Sequence, residues 1–456
     1  MRKNFFERHR CAIPRRGLAM KLEWLVVALI CLSAPACSLD GLLGNDKLPE
    51  NVTDPAITET PKGALRAYYG TVSAFRSAFN HVVNESARLT DELQSLPSNT
   101  GFDLIDMREL PDGGPNQTST SYSRLNEVRG QAVQAIGLHR DHAPDSLSAL
   151  LGHLYALYAY AEIYLADLYC SGIPLSTLDY KGDFTYRPGS TTEQVYEHAL
   201  VLLDTALTFA GDSTRFKYLA QLGTARALLN LGRVAEAAAA VAGVPDDFRY
   251  EVEYGDGVTS MFVIGTDGRW NYSIGDSEGV NGLDYRSSGD PRTQTTTVPG
   301  PSGATAYFPA KYQTDGMTPI VVASGIEARL IEAEAALDEG DVATWLGKLN
   351  HLRQTMWTTI VPAAAGPLPD LTDPGTEGAR IDLLYRERAF WLFLTGQRQG
   401  DLRRLIRNYG RTQDQLYPVG PYPGAPGKWY GAFADLPVSP NERVSNPYYD
   451  GCFSRS

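Results

Sequence analysis

Residues 217–244 read KYLAQLGTARALLNLGRVAEAAAAVAGV, and their spacing predicts two short helices, 214–230 and 233–243. Ala225 and Leu228 on the first helix and Ala235 and Ala237 on the second flank Gly232. A turn that short makes the helices antiparallel neighbours, and small side chains let their axes approach closely. One such pair cannot bury both of its faces alone, so it needs similar pairs on either side.

Working outward supplies them. STTE (190–193) reads as a capping box for a helix carrying Val195, Ala199, Leu202, Leu203 and Ala206. Earlier helices are predicted over 61–93, 122–138 and 146–169, the last apolar on several sides. Later helices are predicted over 322–339 and, from an Asp341 N-cap, through Trp345, Leu349 and Leu352. A last pair covers 381–394 and 401–408. The small-residue pairs resemble tetratricopeptide repeats, without a clean 34-residue period. The expected fold is all-α, a superhelix of tetratricopeptide-like pairs with an irregular lobe inserted. Residues 58–245 form its N-terminal part, with a long loop at 95–120. Residues 246–320, rich in Gly, Asp, Thr and Pro with short β-like runs such as MFVIG (261–265), form the lobe. Residues 321–456 form the C-terminal pairs and an irregular tail, and 37–456 are expected to be one compact unit.

The chain has 456 residues, 43% hydrophobic and 21% charged, which suits a folded protein. A net charge of −12 argues against nucleic-acid binding through phosphate contacts. Met20 is a candidate start, and MKLEWLVVALICLSAPAC (20–37) has the layout of a secretory signal, its apolar run shorter than the roughly 20 residues of a membrane span. Ala-Pro-Ala before Cys37 resembles a bacterial lipobox, which implies cleavage before Cys37 and its lipidation, with residues 1–36 removed and 37–57 a tether. An ordinary signal peptide cut near Ala36 is the other reading. Cys170 and Cys452 then remain, either as one disulfide in an oxidising compartment or as two separate thiols.

Several stretches, in order, resemble the RagB/SusD family of outer-membrane lipoproteins. They are ALYAYAEIYLADLYCSGIPLS (156–176), STTEQVYEHALVLLDTAL (190–207), the opening stretch, GDPR (289–292), EARLIEAEAALDEGDVATWLGKLNHLRQ (327–354), LLYRERAFWLFLTGQRQGDLRRL (383–405) and LPVSPNERVSNP (436–447). Thr395 departs from the acidic residue usual before the Gly-x-Arg turn. The resemblance implies a surface lipoprotein on the extracellular face of the outer membrane, seated on a TonB-dependent SusC-type transporter. It would capture an oligosaccharide or a peptide, without catalysis or cofactor, and act as a hinged lid. A helical scaffold for envelope assembly and a glycoside hydrolase are the alternatives.

Glu387, Arg388, Arg398, Asp401, Arg403 and Arg404, with Glu332 and Glu334, read as charges locking helices rather than as an active site. No catalytic motif and no metal site emerges; His139 and His142 lack a third ligand. Sugar binding needs flat rings against C–H faces and polar groups for hydroxyls. The stretch 268–292 offers Trp270, Tyr272 and Tyr285 beside Asn271, Asn281, Asp284 and Arg286. The loop 95–124 and Trp429–Tyr430 are further candidates, and anchoring of the lobe is the competing role for Trp270 and Tyr272.

Overall fold

The computed structural model describes residues 59–96, 103–110, 119–179, 183–255 and 257–453. The predicted leader and tether, Cys37 included, lie outside the described residues. So do 97–102 and 111–118 of the expected 95–120 loop.

Twelve helices run through the described residues: α1 Pro61–Leu89, α2 Ser119–His142, α3 Ser148–Leu168, α4 Thr192–Phe209, α5 Thr214–Asn230, α6 Val234–Val241, α7 Gly325–Asp338, α8 Val342–Thr355, α9 Glu377–Trp391, α10 Arg398–Tyr409, α11 Gln413–Leu416 and α12 Pro440–Ser445. From α1 to α8 each helix packs on the next, and α10 returns onto α1 and α3. The fold is all-α with tetratricopeptide-like pairs. α3 sits at its centre with almost every residue buried, from Leu151 to Leu168. A second apolar cluster joins Trp345, Leu349, Leu384, Tyr385 and Leu402 in the C-terminal pairs.

Capping sets most boundaries. Thr60 Oγ1 accepts from Gly63 N at 3.0 Å ahead of Pro61, and Asp341 Oδ1 accepts from Thr344 N at 3.0 Å. The capping box of α4 is one residue later than predicted: Thr191 and Gln194 exchange its two bonds. Ser190 is taken instead by a strand pairing with Ile173. α7 begins at Gly325 rather than 322, because β-branched Ile320, Val321 and Val322 continue as a strand and Ser324 becomes the cap.

Ten short strands make five antiparallel ribbons. They are β1 Leu93–Ser95, β2 Ile173–Pro174, β3 Thr177–Leu178, β4 Phe184–Thr185, β5 Gly189–Ser190, β6 Arg249–Val252, β7 Tyr272–Ile274, β8 Thr295–Pro299, β9 Thr305–Pro309 and β10 Ile320–Ser324. The pairs are β1–β7, β2–β5, β3–β4, β6–β10 and β8–β9. The lobe therefore contains more strand than expected, but not at MFVIG (261–265), where Val263 makes a single bridge to Asp315. The irregular tail is partly built into the core. Leu436 and Tyr417 are fully buried, and Leu436 exchanges backbone bonds with Leu168 and Cys170. Cys170 and Cys452 are joined as a disulfide with their Cα atoms 5.8 Å apart, tying the end of the chain to the end of α3.

Candidate functional site

The described residues of the three loops singled out by the sequence meet at one face. Pairing of β1 with β7 sets Ser95 opposite Tyr272 and lays the first loop against the second. Gly431 N donates to the Met107 carbonyl at 2.7 Å. Arg108 Nε donates to the Phe433 carbonyl at 2.9 Å and Nη1 to that of Pro418 at 2.6 Å. Glycine permits the approach: Gly279 has φ +57°, and a Cβ there would stand 2.6 Å from Val419 N, while a Cβ on Gly431 would strike the Arg108 carbonyl.

Trp270 and Tyr285 do not reach this face. Trp270 is 2% exposed, edge-on to Phe308 with its Nε1 donating to the Met261 carbonyl. Tyr285 is fully buried beside Phe390 and Phe393. Their rings fill the lobe's core and offer a ligand no surface. Asn281 donates to the carbonyls of Asp414 and Tyr417. Asp284 accepts from Arg386 Nη1 at 2.6 Å, and that guanidinium holds its carboxyl below the usual range. These two residues fasten the lobe to the C-terminal segments.

Asn271, Tyr272 and Arg286 reach the surface. The Arg286 guanidinium lies 3.9 Å from the centre of the Tyr307 ring, with a buried Nε that has no partner. Arg88 stands 5.8 Å from the Tyr272 ring centre and pairs with Asp103 at 2.5 Å. Tyr307 was missed from the sequence. The alternation in TAYFP (305–309), with Ala306 and Phe308 buried and Tyr307 between them half-buried, is the signal that could have found it. The loop 421–429 closes with a Pro421–Trp429 bridge and leaves Trp429 65% exposed.

Beneath the face, Tyr422 OH donates to Asp106 Oδ2 at 2.7 Å and Tyr430 OH to Glu278 Oε1 at 2.6 Å. Burial pushes both carboxyls up, and the charge of Asp106 raises Glu278 further. The pair is spent on holding loops together.

The other charged set is structural. Arg388 meets Asp401 through two bonds of 2.8 Å, Arg404 meets Glu334 at 3.0 Å, and Glu387 sits between Arg292 at 2.7 Å and Arg353 at 2.8 Å. In GDPR (289–292), Asp290 caps its own turn and grips Arg292. Among the described residues no three His, Cys, Asp or Glu side chains converge to hold a metal. What the face can do chemically is stack rings on Trp429 and Tyr272 and bond hydroxyls with Arg286 and Asn271.

No protein-family model and no curated protein matches the sequence. Solved structures do. A SusD-like protein from Bacteroides fragilis NCTC 9343 superposes with a TM-score of 0.63 at 16% identity, covering 90% of this chain and 100% of that one. A SusD superfamily protein from Bacteroides thetaiotaomicron VPI-5482 gives 0.66 at 15%, covering 87% and 100%. A SusD-like carbohydrate binding protein from Bacteroides vulgatus ATCC 8482 gives 0.61 at 15%, covering 86% and 97%. At such identities the likeness establishes the fold, across nearly the whole of each of those chains.

Proposed function

We propose, from this SusD-like fold, that the chain is a glycan-binding lipoprotein of the SusD family, anchored in the outer membrane through Cys37 and facing outward. The observation that carries the reading is the convergence of three loops, far apart in sequence, into one face with an exposed Trp429 on a rigid helical scaffold. One structural relative is described as a carbohydrate binding protein and another as a putative sugar binding protein, which supports a saccharide as ligand. Capture on a largely preformed surface, followed by closure over a TonB-dependent SusC-type barrel, is the mechanism we infer. The test is affinity purification from detergent-solubilised outer membranes with a tagged chain that retains Cys37. A TonB-dependent barrel at near-equal stoichiometry is expected. Recovery of envelope-assembly factors instead, or of no barrel, would overturn the transporter role and favour a scaffold.

A further inference from the structure

A cleft of about 330 Å³ opens between the lobe and the C-terminal helices, and neither Trp429 nor Asn271, Tyr272 or Arg286 lines it. Its walls come from β6 and β10, from residues 311–319, from the turn 356–361 and from the end of α9 and the residues after it. The lining is mainly apolar: Phe248, Tyr312, Ile360, Phe390 and Trp391 are its large side chains. That size and lining suit a small organic molecule with an apolar body.

Most polar groups along the wall are already engaged. Arg292 is held by Asp290 and Glu387, Arg249 by Glu251, and Asp246 by His351. Thr395 and Thr359 donate to the carbonyls of Leu392 and Met356. Two donors stand out. The Trp391 Nε1–H is buried with no partner. Lys311 donates to the Phe393 carbonyl and has no carboxylate within ion-pair distance among the described residues. An ammonium carries three hydrogens, so two of its bonds remain unmade. Burial, with Glu92 only partly compensating, holds this amine down to about 7. A buried cation whose counter-charge, Glu92, stands beyond ion-pair distance is costly, and a carboxylate delivered by a ligand would relieve that cost.

We propose that this cleft is a second binding site, for a small carboxylic acid whose apolar or aromatic body packs against Trp391, Phe390 and Tyr312 and whose carboxylate meets Lys311. The site is independent of the glycan-binding reading, because none of the exposed side chains assigned to the glycan face, Trp429, Asn271, Tyr272 and Arg286, lines the cleft.

The experiment is calorimetric titration of the purified chain with 3-phenylpropionate and hexanoate, and with the matching primary amides. Saturable binding is expected for the acids, with the amides at least about tenfold weaker, the equivalent of about 1.4 kcal/mol. Lys311→Met is expected to abolish the preference for acid over amide. Val361→Trp places a ring at the cleft wall on a residue that is 55% exposed, so it does not depend on refolding the core. It should block acids and amides alike while Lys311 remains. Equal affinity for acid and amide, an unchanged preference in Lys311→Met, or no saturable binding of either acid would overturn the proposal.

Discussion

Asp106 and Glu278 are buried, interacting carboxyls, and each keeps one oxygen, Oδ1 and Oε2, that no other described group bonds. Asp106 Oδ2 is already bonded by Ser95 N at 2.6 Å and by Tyr422, which suits the ionised form. The proton therefore belongs on Glu278. Both carboxyls are raised by burial, Asp106 to about 7, so the folded state binds protons that the unfolded chain has released. That stability is present below the ordinary carboxylate range and is lost as pH rises through about 7. Glu278→Gln supplies a permanent donor to Asp106 and still accepts from Tyr430. It should raise the melting temperature by a few degrees at pH 8–9 and leave it nearly unchanged at pH 5. Equal shifts at both pH values would contradict a proton held on Glu278.

Arg398 holds Asp91 through two bonds of 2.8 and 2.9 Å, and Asp91 also accepts from Leu283 N. One carboxylate thus joins α10, the segment after α1 and the lobe. Arg398→Met leaves that charge buried and should cost about 3–5 kcal/mol in urea unfolding. The same change in an Asp91→Asn background should cost clearly less. Additive costs would show that the two side chains do not act as a pair.

The helix pairs were legible because their signals are local. Thr60, Asp341 and the apolar spacing of α3 each act within a few residues. The errors arose where a distant partner intervened. Ser190 was drawn into a ribbon by Ile173, and 320–324 became a strand because 249–252 lies beside it. The site was legible only in part for the same reason. Stretch 268–292 was found by composition, yet composition cannot separate Trp270, which fills the lobe, from Arg286, which lies on Tyr307. Arg108 and Pro418 are 310 residues apart, and no spacing rule connects them.

The Cys170–Cys452 disulfide closes a span of 282 residues. Intact-mass measurement should find no free thiol at these positions before reduction and two after it. In the chain-entropy account, Cys452→Ser should lower stability by about 2–5 kcal/mol. Its first visible effect should be exposure of the tail, as early proteolysis beyond Leu436. Two free thiols in the unreduced protein would refute the pairing.

His153 lies stacked on Phe216, with Tyr68 OH 2.8 Å from Nδ1 and Tyr250 OH 2.6 Å from Nε2. Burial, helped by Arg215, lowers its pKa to about 3. The fold therefore prefers the neutral ring. This contribution is complete above the ordinary value of 6.5 and is lost as pH falls from 6.5 towards 3, at up to about 1.4 kcal/mol per unit. His153→Gln should be less stable at pH 7, because it cannot serve both tyrosines as well. Its stability should also fall less steeply than the parent's on acidification over that range. Parallel acid limbs in urea titrations would show that His153 is not the group responsible.

Trp429 and Arg286 give two separate tests of the proposed glycan face. Trp429 is mostly exposed and makes few contacts that the fold needs, so Trp429→Ala should leave the melting temperature within about 1 °C, as is usual for a surface site. If the ring stacks on a sugar, the same change should weaken binding of the glycan identified on an array by about tenfold or more. Arg286→Lys keeps the charge but loses the planar stack on Tyr307 and the guanidinium's fixed fork of donors. It should weaken the same glycan by a smaller factor and reduce discrimination between epimers, since a fixed donor selects hydroxyl geometry. Unchanged affinity in both variants, with the glycan still bound, would move the ligand off this face.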